Sequence, residues 1–218
     1  MHRTRIKICG IKDPDTAVAA ADAGADFIGL VFVEKSPRAV SVAQARAVET
    51  AAPTNVVRVG LFADHSAQQI NDICTQTGLM TVQLHGHEPI SLLDQLQGQH
   101  VIRALPFDDQ AIDLAMEWQQ HERVFALLLD SPQTGALTGG GGVRFDWSRL
   151  AKVRDRFHKR LILAGGLTPE NVGEAIHIVR PYAVDVSSGV ESSRGMKDVQ
   201  KIRAFCDAVR EADKRLQQ

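Results

Sequence analysis

Eight short apolar runs recur along the chain, at residues 6–8, 27–33, 56–62, 81–84, 101–105, 124–129, 161–164 and 183–186. Each has the length of a buried strand, and the stretches between them are long enough for a helix. Several of those stretches carry end signals. Residues 15–23, rich in alanine, read as a helix that ends at Gly24, a C-terminal stop. Ser41 precedes 42–51 and Ser66 precedes 67–77 as N-caps of amphipathic segments. Thr168-Pro169-Glu170 combines a cap, a proline at the first helical position and an early acid. Strands alternating with helices predict a parallel sheet. Eight such units fit a closed (β/α)8 TIM barrel better than an open doubly wound sheet, which stays as the alternative.

Composition changes this picture little. No linker, low-complexity stretch or composition shift divides residues 1–218, so one catalytic barrel domain is expected. The four glycines at 139–142 follow the sixth strand and read as a mobile active-site loop. A formal net charge of -1 gives no nucleic-acid footprint and no attraction to a membrane surface. Three cysteines, Cys9, Cys74 and Cys206, are odd in number and widely spaced, which disfavours a disulfide framework or a zinc site and points to a reducing cytoplasm. The eight histidines show no metal-ligand spacing, and no run approaches the roughly 18 apolar residues of a membrane span.

In a barrel, chemistry gathers at the C-terminal ends of the strands. In order, those ends offer Cys9, Arg38 in the second loop, Asp64, Gln83 with His85, Arg103, Asp130, Gly165-Gly166, and Asp185 with Ser187-Ser188-Gly189. Cys9 taken alone reads as a small core residue, and Gly10 lets the chain turn just after it. Asp130 closes a strongly apolar run, so partial desolvation raises its pKa and suits it to general acid work; a helix-capping role is the alternative. Glycines after the seventh and eighth strands, Gly165, Gly166 and Gly189 with Ser187 and Ser188, form a candidate phosphate cradle of exposed N–H groups. Arg38, beside Pro37, can fork onto a carboxylate or lie solvated on the surface. His85 fits a structural role as well as a functional one.

Taken together, the strings Lys7-Ile8-Cys9-Gly10-Ile11, Ser36-Pro37-Arg38, Val82-Gln83-Leu84-His85-Gly86, Leu129-Asp130-Ser131, Phe145-Asp146-Trp147, Leu163-Ala164-Gly165-Gly166-Leu167 and Asp185-Val186-Ser187-Ser188-Gly189-Val190-Glu191 resemble the phosphoribosylanthranilate isomerases of tryptophan biosynthesis. The likeness reaches Lys197-Asp198 and covers nearly the whole chain. It departs at Gly141, where the family has a threonine, at His87, where an acid is common, and at Arg194, where a proline or small residue is usual. The resemblance implies a (β/α)8 barrel that catalyses an Amadori rearrangement without metal or organic cofactor. It implies that Asp130 is the general acid, Cys9 the general base and Arg38 the site for the anthranilate carboxylate. Asp185, with Gln83 and His85, would meet the sugar, and the backbone around Gly165, Gly166, Ser187, Ser188 and Gly189 would take the phosphate. The implied partner is this small phosphosugar alone, on a monomer or homodimer.

Only the thiolate of a cysteine can act as base, and a free thiol has a pKa of about 8.5. Lys7, two residues before Cys9, shares its strand face but is expected to sit deeper, without an evident role. Two other readings stay open at this point. One is a different phosphosugar isomerase or epimerase barrel, a histidine-pathway relative being expected to carry an aspartate in place of Cys9. The other is a phosphosugar-binding pathway partner with no catalysis.

Overall fold

A computed structural model describes residues 3–131 and 146–217, and the glycines at 139–142 lie outside the described residues. The apolar runs become β1 (Arg5–Cys9), β2 (Phe27–Val31), β3 (Val57–Phe62), β4 (Thr81–Leu84), β5 (His100–Pro106), β6 (Val124–Asp130), β7 (Arg160–Leu163) and β8 (Ala183–Val186). Each pairs in parallel with the next, and β8 pairs with β1, so the sheet closes on itself. The open doubly wound alternative falls on that last pairing. Among the described residues, no helix is long and apolar enough to cross a membrane.

Around the strands lie α1 (Pro14–Asp22), α2 (Val42–Ala51), α3 (Ala67–Thr77), α4 (Asp109–Trp118), α5 (Trp147–Val153), α6 (Val172–Val179) and α7 (Val199–Arg215). Ser41 and Ser66 cap α2 and α3 as expected, and Gln44 and Gln69 complete reciprocal capping boxes. Three connections differ from the sequence reading. Between β4 and β5 the chain forms only a 3-10 helix, Ile90–Gln95, started after Pro89. Helix α6 begins at Val172 rather than beside Pro169, because Asn171 closes a turn: its Oδ1 accepts from Thr168 N at 2.8 Å and its Nδ2 donates to Gly166 O at 2.8 Å. A small antiparallel hairpin, β9 (Glu191–Ser193) with β10 (Met196–Lys197), follows β8.

Strand alternation decides what fills the barrel. Residues such as Ile8, Ile28, Leu84, Leu127 and Val184 face outward and pack under the helices. Inward positions form a separate apolar plug of Phe27, Val59, Ile102, Ala104, Ala126, Leu128, Ile162, Ala164 and Ala183. Toward the C-terminal rim, Cys9 packs with Val31 and Leu61. Lys7 and Gln83 are fully buried polar residues in this interior. The functional rim thus stands on a polar floor laid over an apolar plug.

Candidate active site

An open cavity lies at the C-terminal rim. Cys9, Arg38, Gln83, His85, Asp130, Gly165, Gly166, Asp185, Ser187 and Ser188 all line it. The structure therefore gathers around one cavity every site residue that the resemblance implies except Gly189. That glycine lies behind the rim: a Cβ there would overlap the carbonyl oxygen of Leu167 and meet Thr168. Arg103 and Asp64, also at strand ends, serve the β4–β5 corner instead. Arg103 donates to Glu88 at 2.6 Å and to Gly86 O at 2.9 Å, and stacks 4.5 Å over Trp118. Asp64 Oδ1 accepts from His87 N at 2.6 Å.

On one side of the cavity Cys9 ends β1 with its thiol buried. Lys7 shares this strand face and sits deeper, as expected, but it is a neighbour of the sulfur. The Lys7 ammonium is fully buried and bonds Asp185 Oδ1 at 3.0 Å across the β1–β8 seam, where Lys7 and Asp185 are register partners. Gly29, the register partner of Cys9 on β2, leaves room for both groups: a Cβ there would lie 2.9 Å from the sulfur and 3.2 Å from Lys7 Nζ. Burial raises the thiol pKa, and the Lys7 charge is the main influence pulling it back. Ser187 completes this side, its Oγ donating to Cys9 O at 3.0 Å.

Asp130 stands at the end of β6, partly exposed to the cavity. Its Oδ1 accepts from Ser131 N at 2.7 Å. Its Oδ2 faces His85 Nε2 at 3.8 Å, and His85 Nδ1 meets Gln83 Nε2 at 3.2 Å. Burial raises the carboxyl pKa against the opposing pull of His85 and Ser131. Burial also lowers the imidazole pKa, against the pull of Asp130. The pair is thus biased toward a protonated carboxyl beside a neutral ring, the state a general acid needs. Gly165, at φ +87, permits this packing, because a Cβ there would overlap Ser131 N and lie 2.8 Å from Asp130 Oδ1.

Arg38 is buried rather than solvated, which removes its surface alternative. Its guanidinium forks onto Glu191, Nε to Oε1 at 2.7 Å and Nη2 to Oε2 at 2.9 Å. Lys197 Nζ joins the same carboxylate at 2.8 Å and the Ser187 carbonyl at 3.0 Å, while Gly195 N donates to Glu191 Oε2 at 3.0 Å. Burial alone would raise the Glu191 pKa, but these donors hold it at about 2. The hairpin therefore fixes a guanidinium at the cavity edge. The loop bearing Arg38 also lies hard against Gly10, where a Cβ would sit 2.6 Å from Arg38 Cδ.

A family model for N-(5'-phosphoribosyl)anthranilate isomerase matches residues 6–208. The chain belongs to that family. The isomerase of Pseudomonas putida (strain GB-1) is 46% identical over 217 residues, covering 97% of this chain and all of its own. Among solved structures, the isomerase of Thermotoga maritima superposes with a TM-score of 0.87 at 40% identity, covering 95% of this chain and 99% of that one. The isomerase of Thermus thermophilus gives 0.84 at 34% identity, with the same coverage. An isomerase solved with reduced 1-(o-carboxyphenylamino)-1-deoxyribulose 5-phosphate gives 0.84 at 38%, again over 95% and 99% of the two chains.

Within this isomerase fold, sequence reasoning missed Lys7, Gly29, Glu191 and Lys197 as parts of the site. One signal could have found the first. A lysine two residues before Cys9 on an inward strand position must meet a carboxylate, and Asp185 holds the matching position on the closing strand.

Proposed function

We propose that this cavity carries out the Amadori rearrangement of its family with Asp130 as general acid and Cys9 as general base. The substrate is N-(5-phosphoribosyl)anthranilate and the product 1-(2-carboxyphenylamino)-1-deoxyribulose 5-phosphate, within tryptophan biosynthesis. The observation that carries this reading is the placing of a carboxyl and a thiol on well-separated strands, β6 and β1, facing one cavity. The reduced form of this product is bound by a relative of the same fold.

Asp130 gives its proton to the furanose ring oxygen as the C1–O bond breaks, leaving an open Schiff base. Cys9, as thiolate, removes the proton from C2, and the electron pair moves toward C1 and nitrogen to form an enolamine. Tautomerisation of the enolamine gives the ketone. One proton has left Asp130 and one has reached Cys9, so exchange with solvent restores both groups and the substrate is isomerised without net change. Proton transfers suffice for this sequence, and no metal or organic cofactor enters it.

The remaining wall positions the substrate. Arg38, held at the cavity edge by Glu191, meets the anthranilate carboxylate. Asp185, Gln83 and His85 contact the sugar. The backbone at Gly165, Gly166, Ser187 and Ser188 receives the phosphate, with Gly189 setting the packing of that loop against Leu167. The whole acts as one cytoplasmic barrel domain, as a monomer or homodimer, on a small-molecule partner.

The test uses Asp130→Asn and Cys9→Ala with freshly made phosphoribosylanthranilate, its consumption followed by fluorescence. Each variant is expected to lose at least about 100-fold in kcat, the scale of general acid–base catalysis. Calorimetric binding of the reduced product should stay within a few-fold of the parent. Turnover near that of the parent in either variant, with chemistry rate-limiting, would remove that residue from its role.

A further inference from the structure

We propose that Lys7 is the positioning residue that lets Cys9 work as a base, its ammonium standing beside the sulfur as the counter-charge of the thiolate. This deepens the assignment of Cys9 above and rests on it. Three observations carry the idea. Lys7 and Cys9 are two residues apart on β1, so both point into the barrel on one face. Opposite them β2 has Gly29, and the space its missing Cβ leaves is bordered by both Cys9 Sγ, at 2.9 Å, and Lys7 Nζ, at 3.2 Å. The two groups thus converge on the space that a side chain at position 29 would need. Finally, a lysine with no solvent exposure needs a structural reason to be charged, and Asp185 at 3.0 Å supplies it.

Asp185 Oδ1 takes one of the three ammonium donors, which leaves donors that a neighbouring thiolate can accept. The charge environment is consistent with this. Burial raises the thiol pKa, Lys7 is the strongest influence against it, Asp185 on β8 adds to the rise, and Lys197 on β10 lowers it. From β2 and β3, Val31 and Leu61 pack against Cys9, with Gly29 beside the sulfur. Asp185 keeps the lysine protonated in a buried place, and the lysine in turn offsets the desolvation of the thiolate. When Cys9 takes the C2 proton, its charge disappears and the Lys7–Asp185 pair remains intact, so the floor is unchanged through the turnover.

The test reads the sulfur directly, by the pH dependence of iodoacetamide alkylation at Cys9, located by peptide mass spectrometry. Locating the label by peptide separates Cys9 from Cys74 and Cys206, whose thiols burial pushes up to about 11. The high-pH plateau reports access to the sulfur, and the inflection reports its charge environment. Lys7→Met is expected to move the inflection up by at least one pH unit, giving at least tenfold slower alkylation below it. Lys7→Arg should restore most of the shift, and kcat/KM should follow the same order. Should Lys7→Met fail to fold, Lys7→Met with Asp185→Leu removes both buried charges together, and the inflection should still rise. An inflection that stays in place or falls in a folded variant would overturn the proposal. Loss of the base assignment itself looks different: Cys9→Ala would then keep turnover, whatever the alkylation profile.

Discussion

Glu191→Gln offers the most quantitative check on how the hairpin holds Arg38. Glutamine has the shape of a protonated glutamate, so the substitution removes charge with little change in volume. In the folded protein the carboxyl is held at about 2, against an ordinary 4.5, by Arg38, Lys197 and Gly195 N in the face of a burial that would raise it. At about 1.4 kcal/mol per pH unit, that difference makes about 3 kcal/mol of stability at neutral pH. The cost of breaking a buried ion pair, about 3–5 kcal/mol, agrees in size. Because the folded value lies below the unfolded one, this stability is fully present above the ordinary 4.5 and is lost as pH falls through about 2. At pH 3 about 1.4 kcal/mol should remain. Scanning calorimetry of both proteins at pH 7 and pH 3 makes the comparison, other titrating groups being common to the two. The difference in Tm should shrink from about 6–12 °C to about 3–6 °C, at about 2–4 °C per kcal/mol for a chain of this size. Parallel curves, with the same gap at both pH values, would refute the claim that this carboxylate is held charged by its partners.

Two further outcomes test the substrate-binding wall. Arg38→Met should raise KM about 10–100-fold, the worth of a charge-assisted hydrogen bond of about 1.5–3 kcal/mol, with a much smaller change in kcat; an unchanged KM would remove the carboxylate contact. Gly189→Ala should weaken inhibition by inorganic phosphate and lower Tm, since its methyl would overlap the Leu167 carbonyl beneath the glycine loop. Phosphate inhibition equal to that of the parent would separate Gly189 from the cradle.

Much of the architecture could be read from local pattern. Strands at 81–84 and 183–186 and helices at 42–51 and 67–77 match to the residue, because apolar runs and serine caps are local signals. The 3-10 helix at Ile90–Gln95 escaped, since amphipathic length alone does not separate it from an α-helix. Cys9 and Asp130 stood out because strand ends in a barrel are where side chains meet the cavity. The ion pairs did not, for a different reason. Lys7 and Asp185 are 178 residues apart and meet only once the barrel closes, and Arg38 and Glu191 are 153 apart and meet through a hairpin with no strong signature. A lone charged residue in a sequence does not name its partner; the register of the closed sheet does.

The seam between β1 and β8 has a consequence for the life of the polypeptide. Across it run Lys7 to Asp185, Ser187 to the Cys9 carbonyl, and Thr4 to Asp213 of α7. The thiol and Lys7 arrive with the first strand to be made, yet Asp185, which holds the lysine in place, arrives with the last strand of the barrel. A nascent or partly folded chain therefore carries the cysteine in water, without the burial that raises its pKa and without the cavity in which it meets a substrate. Turnover of substrate should switch on only when the final strand docks and the sulfur exchanges water for its place in the cavity, so that one reaction reports completion of the barrel.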